Sequence, residues 1–82
     1  MSEVDSAAVR AAAHACAAAR SNYDAARAAA DAAYERLQAS PETIEYQIDW
    51  NVLRRQEAAA AWRLDQAQEG YRRVTTGERM QR

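Results

Sequence analysis

Few residues of this chain have the types and positions that chemistry requires, and they do not converge. His14 is the single histidine and Cys16 the single cysteine. Two residues apart on a helix, they point in different directions and cannot share a metal ion. No carboxylate lies three or four residues from His14, so it has no local partner to orient or charge it. The Glu-x-x-His pattern of di-iron helical bundles is missing. So are glycine-rich phosphate loops and the motifs of serine or cysteine nucleophiles. Glu57 is the one ionisable group inside an aromatic stripe. Burial would raise its pKa, but pairing with an arginine of the first helix, or reaching the rim, satisfies it more simply. Glu42 and Glu45 are explained by a helix N-terminus, whose dipole favours negative charge. The sequence therefore points to a non-catalytic protein with no cofactor, no metal and no small-molecule substrate.

The totals narrow the class further. Eighty-two residues make one domain. The 49% hydrophobic content includes 22 alanines, leaving few large side chains and no phenylalanine. Such a chain builds a thin core, and small domains of this kind are commonly completed by disulfides, metals or association. One cysteine excludes an internal disulfide and suits a reducing compartment. A net charge of −1 gives no general pull toward nucleic acid or membrane. Arg72, Arg73, Arg79 and Arg82 make the C-terminal end basic, but no aromatic interleaving or DNA-reading motif accompanies them. No apolar run approaches the ~20 residues of a membrane span, and no signal pattern opens the chain. A cytoplasmic setting is expected.

The elements that must position these residues are helical. Alanine, arginine, glutamate and glutamine dominate, and only Pro41, Gly70 and Gly77 interrupt helix-forming chemistry. The first helix is predicted over about 6–39. Val9, Cys16, Tyr23, Ala30 and Leu37 recur every seventh residue, with Ala12, Ala19, Ala26 and Ala33 as companions. That is an a/d seam with alanine at each d. Ala11, Ala18, Ala25, Ala32 and Ala39 add a second small-residue strip. Arg20, Asp24, Arg27 and Asp31 form a charge ladder on the solvent face. The register runs unbroken through Ser21-Asn22, which favours one continuous helix over a new start there. Ser40-Pro41 reads as an N-cap followed by a first-turn proline, so the second helix is predicted from 41 to about 75, with Gly77 or Gly70 at its end and residues 78–82 frayed. So short a connection makes the helices antiparallel neighbours. The fold class is all-α: two long antiparallel helices, a helical hairpin or coiled coil, completing a bundle with a partner or a second copy.

The second helix carries two apolar stripes on roughly opposite sides. Tyr46, Trp50, Leu53, Leu64 and Tyr71 are expected to join Val9, Cys16, Tyr23 and Leu37 in the internal seam. Ile44, Ile48, Val52 and Trp62 form the other stripe and are the expected partner-binding residues. A single antiparallel neighbour covers only one stripe, and a contiguous apolar patch left over marks an interface.

The proline turn, the short length and the Tyr46-Gln47…Trp50 stretch resemble small type III secretion hairpins, namely needle subunits and the co-chaperones that shield them. The resemblance spans the hairpin outline and Pro41 to Leu53. It implies an export-machinery component with a helical partner. The longer proline-flanked turn and the polar run of needle subunits are absent. A small phage-type inhibitor or assembly factor fits the same outline. The common expectation is a protein–protein interaction module that binds a helical partner or itself.

Overall fold

The computed structural model describes the backbone of residues 6–80 and the side chains of residues 6–76. It is an all-α hairpin of two helices, α1 (Ser6–Ala39) and α2 (Ile44–Met80), packed along their length. At ~1.5 Å per residue each helix is roughly 50–55 Å long. The molecule measures 64 × 17 × 12 Å, with a radius of gyration of 18.3 Å. A compact domain of this length would have one of about 12 Å. The hairpin is a rod, and a rod has little inside.

α1 runs unbroken through Ser21-Asn22. Alanine carries almost no side-chain entropy cost in a helix, so its long alanine-rich segments offset a weak capping signal at that point. α2 begins at Ile44, three residues after the predicted start. Ser40, Pro41, Glu42 and Thr43 form a turn instead, closed by the Thr43 amide donating to the Ser40 carbonyl at 3.1 Å. Proline presets a φ that suits the second position of such a turn as well as a first helical turn. Thr43 then stands where Ser40 was expected, immediately before the helix. Its carbonyl accepts the Tyr46 amide at 3.1 Å, and its hydroxyl pairs with that of Ser40 at 2.8 Å. Glu45 remains in the first turn of α2, while Glu42 lies in the connection.

At the other end α2 continues past Gly70, Thr75 and Gly77 to Met80. Residues 78–80, expected to fray, belong to the helix, and 81–82 lie outside the described residues. Two devices carry the helix over its weak points. Glu69 pairs with Arg72 and with Arg73, the latter at 3.5 Å, and the two pairs bridge the turn that contains Gly70. Thr75 and Thr76 return their hydroxyls to the Tyr71 and Arg72 carbonyls at 2.7–3.1 Å, a local bond that β-branched residues use inside helices. No described glycine has a positive φ, so the left-handed helix cap expected of glycine does not form.

A Cβ built on Gly70 meets nothing within 4 Å. Gly70→Ala is therefore expected to stabilise the hairpin by about 0.5–1 kcal/mol, because alanine loses less backbone freedom on folding. The check is the midpoint of thermal unfolding followed by circular dichroism, which should rise.

Candidate interaction surface

The seam has alanine at its centre. Among the described residues Ala30, Ala33 and Ala60 are the buried core, and no large side chain is fully buried. Small residues bring the helix axes close, and bulky ones at the same level can then only lie alongside. Val9, Cys16, Tyr23, Leu37, Tyr46, Trp50, Leu53 and Leu64 are accordingly half-buried along the junction. Cys16 donates its thiol to the Ala67 carbonyl at 3.2 Å, which fixes the alignment of the helices at that point. Tyr71, expected in the seam, is 39% exposed. It lies one turn beyond Ala67 and so level with the region of Ala12, whose methyl group is too small to cover a phenol ring.

Tyr34 falls beside the a/d series, so a/d spacing does not single it out. It is 44% exposed and leans on Trp50 with ring centroids 5.6 Å apart. Arg54 lies over the same indole at 5.1 Å, within cation–π range. Trp50 is thus held between the two helices by a tyrosine on one and an arginine on its own. A heptad reading that allowed for position e as well as a and d would have included Tyr34.

The residues with chemistry stay apart. His14 is exposed, and Glu57 is partly exposed with no ion pair among the described residues, which matches the rim position. Among the described residues no three His, Cys, Asp or Glu side chains gather where they could hold a metal ion. Of the charge ladder on α1, Arg27 and Asp31 meet at 4.0 Å with both side chains well exposed, a pair worth little in water. The side chains of Arg79 and Arg82 lie outside the described residues. Among the described residues Glu69 is the one group whose titration is clearly displaced: hydrogen bonding and charge from Arg72, then the charge of Arg73, hold its carboxyl below the usual range. A lowered carboxylate pKa stabilises the fold above the ordinary value of 4.5, and that contribution fades as pH falls through the lowered value. Helicity followed between about pH 6 and pH 3 should drop more in the native chain than in Glu69→Gln, whose α2 has no such group to protonate.

What remains outward is apolar. Ile44 is 64% exposed, Ile48 55%, Val52 43% and Trp62 64%. Their spacing sets them on the side of α2 turned from α1, over some 18 residues or roughly 27 Å of helix. Beside this stripe, α1 and α2 together form a shallow groove of about 350 Å³ lined by Ala15, Ala18, Ala19, Asn22, Ala60, Arg63 and Ala67. A second opening of about 460 Å³ lies at the free end of the hairpin, between Ser6, Val9, Arg10 and Thr75. No described helix is long and apolar enough to cross a membrane. The chain matches no protein-family model, no curated protein and no solved structure.

Proposed function

We propose that this chain is a non-catalytic protein–protein interaction module, a helical hairpin that offers the outer stripe of α2 to a helical partner. One observation carries the reading. Ile44, Ile48, Val52 and Trp62 stand in solvent on a hairpin that, among its described residues, has no fully buried large side chain. Each large side chain left in water forgoes up to ~1.5–3 kcal/mol of burial, on a domain with little stability to spare. A covering helix recovers that term. A cytoplasmic setting belongs to the same proposal, since a single cysteine leaves no internal disulfide to form. The secretion-hairpin resemblance would add an exported helical subunit as the partner, and it rests on outline alone.

The test is affinity purification from the native host with the tagged chain and with a variant carrying Ile44→Gln, Ile48→Gln, Val52→Thr and Trp62→Gln. The reading expects a species, either another protein or untagged chain, retained by the first and lost by the second. Equal retention by both would place the interface elsewhere.

A further inference from the structure

The partner can be specified further on the strength of that reading: we infer that the outer stripe of α2 is covered by α2 of a second copy of this chain, antiparallel and related by a two-fold axis near Leu53. Three observations converge on this occupant.

The first is area. A compact monomer of 9.1 kDa exposes about 4,900 Å², whereas this chain exposes 5983 Å². The excess is about 1,100 Å², and a standard interface covers about 800 Å² on each partner. The hairpin therefore has the surplus surface of one subunit of a stable dimer.

The second is side-chain size. Ile44, Ile48, Asn51, Arg55, Ala58 and Trp62 follow the 4-3-4-3-4 spacing of a helix seam. Reversed about Leu53, the series is complementary to itself. Trp62 falls on Ile44 of the second copy, Ile48 on Ala58, and Arg55 on Asn51, whose amide oxygen can accept from the guanidinium. Val52 lies beside Val52 of the second copy near the axis. Each large group meets a smaller or flatter one, the condition for close packing between helices. An isologous contact of this kind closes on itself and stops at two copies.

The third is charge. At 100° per residue Glu45 and Arg63 lie at one helical angle, along the same flank of the stripe. In the antiparallel register Glu45 of each α2 comes within two residues of the level of Arg63 of the other, on the same side of the contact. Charge thus agrees with the direction that the packing requires.

The experiment measures mass and register together. Light scattering on the purified chain should give about twice 9.1 kDa at micromolar concentration. In a Cys16→Ser background, Ile48→Cys and Ala58→Cys chains are mixed and mildly oxidised. The mixed disulfide should form in large excess over either homodimer, because in this register like positions are offset by roughly 15 Å along the helix, beyond disulfide reach. Random proportions of the three products, or a mass of 9.1 kDa at hundreds of micromolar, would overturn the second-copy assignment. In the latter case the melt separates the two claims. A 9.1 kDa chain that unfolds without cooperativity leaves the interaction-module reading standing with another partner, and one that unfolds cooperatively ends both.

Discussion

Replacing both Ile48 and Trp62 by serine should reduce the protein to its monomer mass across the micromolar range. Both side chains are more than half exposed in the hairpin, so more than half of each remains to be covered by a partner. That fraction of a large side chain corresponds to about 1–2 kcal/mol. A two-fold contact contains each residue twice, giving roughly 4–8 kcal/mol in all, or three to six powers of ten in the dissociation constant. The melting midpoint should also lose its dependence on protein concentration. The low-temperature helical signal should survive in large part, since neither residue joins α1 to α2. Retention of the dimer mass would remove the stripe from the interface. Collapse of all helicity would show that these side chains belong to the hairpin's own interior.

Ala33→Leu should be the most damaging single change within the hairpin. Ala33 is 1% exposed, and its methyl group faces α2 where the helices approach closely. A leucine there has to push the helices apart or leave its rotamer, at a cost of about 1–3 kcal/mol. For a domain of this size that lowers the melting temperature by about 5–20 °C. Ala32→Leu, one position away and exposed, should change stability by no more than about 0.5 kcal/mol. Equal effects at both positions would mean that the alanine seam is not closely packed.

How far the sequence reveals this molecule differs from one level to the next. The hairpin itself is written plainly, because the seventh-residue series from Val9 to Leu37 has one structural reading and Pro41 marks the reversal. The start of α2 is less legible. Ser40 and Thr43 are both good caps, and only the closed turn between them decides for the second. Its far end is obscured for a related reason. Glycine and threonine weaken a helix by default, and their compensation here lies in Glu69 and in hydroxyls bonded back to the preceding turn, which propensity does not record. The exposed stripe follows directly from the spacing of Ile44, Ile48, Val52 and Trp62. The half-burial of the bulky seam residues does not follow, since it depends on how closely Ala30, Ala33 and Ala60 let the helices come. The 39% exposure of Tyr71 within the seam series has the same cause.

The two helices are joined at one end only, by the turn from Ser40 to Thr43. Once that turn closes, each successive layer brings together residues already near one another, so little additional loop entropy is lost per step. Assembly then proceeds as a zipper from the Leu37–Tyr46 end toward Val9 and Val74, and loosening runs the opposite way. The free end, being farthest from the tether, is where the tips of α1 and α2 first part company when the rod breathes.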